Sequence, residues 1–248
     1  MSSIDESQLF LGCPIPFKDI CLIYPLTIKD IVVMGENKYR FLLNLLTMSQ
    51  EEILNIFEER KVEPPESLNV FEYLLASCAY DVNFLLDIKK AFFTFIREQV
   101  QISSEEGMII VGDLKDKRII NKENFCEFQN ILREQNKIPI PEEIPEHENE
   151  MQKKFRLKRL ALKKAKEKQA LKNKEEIITL KTMMCAFLVF NLGTWEEMQN
   201  LSLYTFYSLL DMAREKEKYE QDIGSILAGA NPKKIKLKYW IRNIIKED

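Results

Sequence analysis

The stretch NVFEYLLASCAYDVNFLLDIKKAFFTFIREQV, residues 69–100, determines the fold class of this chain. Its apolar residues recur at intervals of three and four, which is the spacing of one face of an α-helix. Asn69 precedes Glu72 by three positions, an arrangement that caps a helix and complements its dipole. The stretch predicts helices over 69–80 and 83–100. The residues expected to face the core are these: Phe71, Leu74, Leu75, Cys78, Ala79, Leu85, Ile88, Phe92, Phe95, Ile96.

Similar helix-start signals lie on both sides of this stretch. Thr27, Ser49 and Thr194 each stand three residues before an acidic residue. We therefore expect helices at about 28–33, 38–46 and 50–60, a short helix after Thr194 and a long one capped by Ser202. Seven glycines and nine prolines in 248 residues are too few for a turn-rich, many-stranded protein.

Two short segments break the helical pattern. Residues 20–24 (ICLIY) end at a proline and predict a strand. Residues 108–111 and 118–120 are β-rich and flank Gly112-Asp113, which predicts a hairpin. Because an isolated hairpin is marginal in water, we expect it to pack on the helices or to pair with the strand at 20–24. A helix capped by Asn121 follows, through about Glu134.

Charge and proline divide the chain into three parts. Residues 1–138 form a predicted N-terminal helical lobe with a small β element. Residues 139–176 combine an acidic, proline-containing spacer with a basic arm that lacks proline and glycine and should be helical. Residues 177–248 form a predicted C-terminal helical lobe. The expected fold is mainly α, with two lobes joined by a charged helical arm.

The motifs of common enzyme classes are absent from the sequence. No G-x-G-x-x-G, G-x-x-x-x-G-K-[ST], H-E-x-x-H or G-x-S-x-G occurs. The one histidine, His147, lies among glutamates, and the five cysteines contain no C-x-x-C pair, which predicts buried, reduced thiols. We expect no catalytic residue, no cofactor and no metal. The first residues lack a signal peptide pattern and no apolar run reaches 18 residues, so the expected location is the cytoplasm, without membrane contact.

The basic arm is the strongest charge feature. Met151–Lys174 carries eleven Lys or Arg and one acid, whereas the whole chain has a net charge of −3, so the remaining residues carry −13. Such a segment could be a solvated helix, could dock on a protein, or could neutralise phosphates of a nucleic acid. Its apolar stripe is thin for a membrane-surface helix. The candidate binding residues here are Lys158, Arg159, Lys163 and Lys166.

Large aromatic side chains are concentrated near the C-terminal end. Leu203, Phe206, Tyr207 and Leu210 share one helical face and should be core, whereas Tyr204 lies about 100° from Leu203 and could point outward. One hypothesis places Tyr204 and Trp240, with Trp195 nearby, around an apolar groove for a partner helix. The alternative is that these side chains simply fill the lobe.

Two stretches resemble a known group of proteins. The first comprises Leu22–Ile31 (LIYPLTIKDI), Met34–Tyr39 (MGENKY) and Leu42–Thr47 (LLNLLT). The second comprises Asn191–Trp195 (NLGTW), Ser202–Phe206 (SLYTF) and Leu227–Trp240 (LAGANPKKIKLKYW). Together they resemble small helical proteins of the tail-gene clusters of long-tailed phages and prophages of Gram-positive bacteria, which are similar to tail assembly chaperones and minor tail proteins.

This resemblance implies a non-catalytic protein of the bacterial host cytoplasm. It would bind the tape-measure protein, keep its apolar helices from aggregating, and assist polymerisation of the tail-tube protein around it. Two alternatives remain open: a structural component of the tail or of the head–tail junction, and a nucleic-acid-binding protein that uses the basic arm. The sequence leaves the oligomeric state undetermined.

Overall fold

The computed structural model describes residues 4–63, 65, 69–113, 118–141, 151, 154–155, 158–159, 162, 179–231, 235, 237 and 239–240. Helices account for most of these residues, so the prediction of a mainly α protein is confirmed. The helices are α1 (Glu6–Phe10), α2 (Ile28–Met34), α3 (Glu36–Thr47), α4 (Gln50–Arg60), α5 (Val70–Tyr80), α6 (Val82–Ile96), α7 (Phe125–Gln135), α8 (Leu180–Val189), α9 (Trp195–Asn200) and α10 (Leu203–Leu227).

The predicted helix starts are confirmed at atomic detail. Thr27, Ser49 and Thr194 each form a capping box, in which the hydroxyl accepts from the third helical N–H and the acid side chain accepts from the cap N–H. Asn69 and Ser202 cap α5 and α10 with their side chains. These contacts are local, which explains why the sequence alone locates the helix starts.

The β structure is more extensive than the sequence predicts. Strands β1 (Ile15–Phe17) and β2 (Cys21–Ile23) form one antiparallel pair, and β3 (Val100–Ser103), β4 (Met108–Val111) and β5 (Ile119–Ile120) form a second antiparallel sheet in that order. The predicted strand and hairpin are present, but the hairpin pairs with β3 and the strand at 20–24 pairs with β1. The helix predicted to reach residue 100 instead ends at Ile96, because Arg97 adopts φ 60° and the chain then enters β3.

A buried polar face of α7 holds the end of α3. The Arg133 guanidinium donates to the carbonyl of Thr47 at 2.6 Å and to Asn130 Oδ1 at 3.2 Å, and Gln129 donates to the carbonyl of Leu46 at 2.9 Å. The carbonyls of Leu46 and Thr47 accept no backbone hydrogen bond within α3, because the last four C=O groups of a helix have no following turn to donate to them. Burial lowers the pKa of Arg133. The positive charge lies at the negative end of the α3 dipole, which stabilises both.

The C-terminal helices complete the same compact unit as the N-terminal ones. The amide of Ile28 donates to the carbonyl of Leu201 at 3.0 Å, and Thr27 and Ser202 form an antiparallel bridge. The Thr205 hydroxyl donates to the carbonyl of Phe10 at 2.6 Å. Residues 1–140 and 184–248 form one compact unit, and the predicted separation of 1–138 and 177–248 into two lobes is not confirmed. The periodic pattern of each helix identifies its apolar face but not the helix that covers it.

The second compact unit is Pro141–Met183. Among its described residues, Met151, Lys154, Phe155, Lys158, Arg159 and Leu162 are helical and exposed. Lys163, Lys166 and His147 lie outside the described residues. Within the described part of the chain, no helix is both long enough and apolar enough to cross a lipid bilayer.

Candidate partner-binding surfaces

Tyr204, the first of the predicted binding residues, is engaged within the protein. Its ring is half-buried and lies under the Lys137 ammonium group, 5.3 Å from the ring centroid. The same ammonium group forms an ion pair with Asp211 at 2.9 Å. Burial raises the pKa of the Tyr204 hydroxyl, and the carboxylates of Glu6 and Glu134 raise it further. Tyr204 thus joins α10 to the end of α7 within one unit.

The neighbouring residues of α10 behave as the helical spacing predicts. Leu203, Phe206 and Leu210 are buried, and Tyr207 is half-buried. The Phe206 ring stacks on Phe187 of α8 with their centroids 5.6 Å apart. This face of α10 is core.

Trp240 lies in a separate aromatic cluster. Its ring is 6.0 Å from that of Tyr239, which in turn contacts Tyr219 of α10 edge-on at 5.5 Å. Tyr219 is 15 residues beyond Tyr204 on the same helix, a distance of about 22 Å at 1.5 Å per residue. The structure therefore does not bring Tyr204 and Trp240 to one groove.

Trp195, in contrast, is available on the surface. It is the first residue of α9, and 52% of it is exposed. Helix α2 packs against α9, and its Val32 and Val33 are exposed. Val189 is also exposed, at the end of α8 and six residues before Trp195. We call Val32, Val33, Val189 and Trp195 the tryptophan surface. Large apolar side chains exposed on a folded protein are candidate sites of protein contact.

A second apolar surface was missed by the sequence analysis. Val82, Leu86 and Phe93 are exposed on one face of α6, and we call these three residues the α6 stripe. They recur at intervals of four and seven residues, opposite the buried face of Ile88, Phe92 and Phe95. The available signal was that α6 is apolar on more than one face, which usually indicates a helix buried all round. Among the described residues, tertiary contacts cover one of these faces and leave Val82, Leu86 and Phe93 exposed.

The basic segment contributes exposed cations. Lys154, Lys158 and Arg159 are exposed in helical residues.

The buried thiols of Cys21 and Cys78 are weak nucleophiles. Burial raises the pKa of Cys21 to about 12 and that of Cys78 to about 11, so both stay protonated and weakly nucleophilic near neutral pH. Cys126 and Cys185 are exposed, so the prediction that the cysteines are buried is wrong for these two. Among the described residues, no group of three His, Cys, Asp or Glu side chains is placed to hold a metal ion.

Comparison of the chain with protein-family models, curated proteins and solved structures finds no match.

Proposed function

We propose that this chain is a non-catalytic, chaperone-like tail assembly protein of a long-tailed phage or prophage, which binds an apolar helix of a tape-measure or tail-tube protein in the host cytoplasm. The observation that carries the proposal is the tryptophan surface. Trp195 belongs to one of the two stretches that resemble tail assembly proteins. Trp195 is half-exposed, and tryptophan is enriched among the residues that contribute most of the binding energy at protein interfaces.

The tryptophan surface suits an amphipathic helix. Its four side chains come from three helices, at residues 28–34, 180–189 and 195–200, and the first and third of these helices pack against each other. Helices whose positions are fixed by caps and by the Thr27–Ser202 bridge can present side chains without reordering on binding. A chaperone for long apolar helices needs such a preformed apolar surface.

The test is co-expression with the product of the long helical reading frame nearest this chain's gene. We expect the partner to become soluble and to co-purify with this chain. Trp195→Ala should weaken the complex by about tenfold or more at temperatures where the variant remains folded, because half of the side chain is available in solvent.

The matched control is Tyr80→Ala, which removes an almost fully exposed aromatic ring from α5. It should leave the complex unchanged. A partner that stays insoluble, or a complex that Trp195→Ala and Tyr80→Ala affect equally, would contradict the proposal. Recovery of this chain in purified phage particles would instead favour a structural tail component.

A second candidate function, nucleic-acid binding, is favoured by the exposed Lys154, Lys158 and Arg159. If these residues contact phosphates with the rest of the basic segment, affinity for duplex DNA should fall about a thousandfold between 50 and 200 mM salt. Lys158→Glu should weaken binding, whereas Lys38→Glu, which reverses an exposed charge on α3, should have little effect. Weak binding at low salt would remove this candidate.

A further inference from the structure

The basic segment, residues 151–174, lies in the sequence between two parts of the chain that fold together. Residues 1–140 and 184–248 form one compact unit, and Pro141–Met183 forms the other. The basic segment is therefore part of an insertion in the first unit. We infer that this segment is a cleavage site for proteases that hydrolyse the chain after lysine or arginine, and that the cleaved protein stays folded as two associated chains.

The described side chains of the basic segment are open to a protease. All six of them are exposed, and they include three cations, Lys154, Lys158 and Arg159. The large apolar ring of Phe155 is also 69% exposed. A protease cleaves a locally opened chain, and a segment with few buried apolar contacts opens at a low cost in free energy. The exposed cations are therefore suitable sites for a trypsin-like protease.

The cleavage is the hydrolysis of one peptide bond. After Lys158, one water molecule is consumed, which leaves a carboxylate on Lys158 and an amino group on Arg159. The products are the fragments 1–158 and 159–248. The broken bond lies between α7 and α8, so the cut interrupts none of the described helices and strands of the first unit.

Main-chain groups join the two fragments. The amide of Ile28 donates to the carbonyl of Leu201 at 3.0 Å, and the Thr205 hydroxyl donates to the carbonyl of Phe10 at 2.6 Å. In both hydrogen bonds, the donor and the acceptor belong to different fragments. Neither bond involves the basic segment, so both can persist after the cut.

Side chains join the fragments at further places. Lys137 forms an ion pair with Asp211 at 2.9 Å and lies over the ring of Tyr204. Leu9 is buried in α1, which packs against α10, and Met198 is fully buried in α9, which packs against α2. Separation of the fragments would expose such apolar side chains to water, which is unfavourable. The two chains should therefore stay together.

The tryptophan surface depends on both fragments. Val32 and Val33 belong to fragment 1–158, whereas Val189 and Trp195 belong to fragment 159–248. The cleaved protein should therefore keep this surface for as long as the fragments stay associated, although its basic segment is no longer continuous.

Limited digestion of the full chain with trypsin tests the inference. Mass spectrometry should place the first cuts within residues 151–174. The fragments should elute together from a size-exclusion column at the position of the uncut chain, keep its circular dichroism, and separate in urea. Fragments that separate under native conditions, as two independent lobes would, overturn the inference. First cuts elsewhere, such as after the exposed Lys216 or Lys218 of α10, also overturn it.

Two matched variants test the contacts between the fragments. Thr205→Val removes a hydroxyl that donates to Phe10 in the other fragment, whereas Thr94→Val removes one that donates at 2.8 Å to the carbonyl of Lys90 in the same fragment. Thr205→Val should lower the urea concentration at which the cleaved chains separate, and Thr94→Val should change it little. Equal effects of the two substitutions contradict the assigned contacts.

A third variant tests the insertion without a protease. Residues 142–178 are replaced by a Gly/Ser linker of the same length, which leaves α8 whole. This chain should keep a cooperative unfolding transition and the circular dichroism of a mainly helical protein. If it does not fold, the first unit depends on the insertion, and the inference is overturned.

Discussion

Replacing Tyr204 with alanine should destabilise the fold rather than weaken partner binding. One hypothesis from the sequence placed Tyr204 at the border of a partner groove, where its loss would lower affinity and leave stability nearly unchanged; the alternative was that Tyr204 fills the lobe. In the structure, the ring is half-buried between α10 and the end of α7, under the Lys137 ammonium group. The truncation therefore removes contacts inside one compact unit.

The expected magnitude follows from two contributions. Truncating a fully buried aromatic side chain costs about 3–5 kcal/mol, so a half-buried one should cost about 1.5–2.5 kcal/mol. The contact between Lys137 and the ring adds about 0.5–1 kcal/mol. The free energy of unfolding should therefore fall by about 2–3.5 kcal/mol, which corresponds to a melting temperature lower by roughly 4–14 °C for a unit of this size.

Chemical denaturation of three variants separates these contributions. Tyr204→Phe keeps the ring and should stay close to the unmodified chain. Lys137→Ala removes the ammonium group together with its ion pair to Asp211. The double variant Tyr204→Ala/Lys137→Ala should show a coupling energy of about 0.5–1 kcal/mol between the two side chains. If Tyr204→Ala leaves the free energy of unfolding unchanged and lowers partner affinity, the reasoning is refuted and the groove hypothesis regains support.

Three further predictions concern buried and titratable groups. Arg133→Ala should lower the free energy of unfolding by about 3–4 kcal/mol in urea titrations, because buried carbonyls at the end of α3 lose their donor; a loss below about 1 kcal/mol would contradict this role. Burial raises the pKa of Glu134, and the carboxylate of Glu6 raises it further. The folded state therefore holds the Glu134 proton more tightly than the unfolded state does. The free energy of unfolding should decrease as the pH rises from the ordinary glutamate pKa through the raised one. Glu134→Gln should remove that slope, and an unchanged slope would assign it to other groups. A thiol reagent should label the exposed Cys126 and Cys185 before the two buried thiols, as peptide mass spectrometry can show, and equal labelling of all four would contradict the assigned burial.

The helices could be predicted from the sequence because their signals are local. The hydroxyls of Thr27, Ser49 and Thr194 contact groups only three residues away, so the capping boxes are visible without knowledge of the rest of the fold. The C-terminal end of α6 could not be located in this way. Its last turn is followed by β3, and β3 forms only because β4 pairs with it. Apolar residues on a strand and on a helix end look alike over so short a stretch.

The exposure of the candidate binding residues could not be predicted from the sequence, because it depends on tertiary contacts. Aromatic side chains near residue 200 were recognisable, but their exposure is decided by which helices cover them. Lys137, 67 residues before Tyr204, covers that ring, whereas 52% of Trp195 is exposed. The exposure of Phe93 likewise depends on α6 having one covered face and one open one. Local periodicity gives candidate faces, and only tertiary contacts decide among them.

The bridge between Thr27 and Ser202 can form only after residue 202 has been synthesised, which delays completion of the fold. At about 5–20 residues per second, a ribosome needs roughly 9–35 s to add the 173 residues between Ile28 and Leu201, whose main chains hydrogen-bond. During that interval, the nascent N-terminal helices emerge without the helices that complete their core. Premature termination would leave apolar surface on the truncated product. Chaperones that bind and shield nascent chains should therefore increase the yield of this protein. Their effect should be larger here than for a protein whose domains fold one after another along the chain.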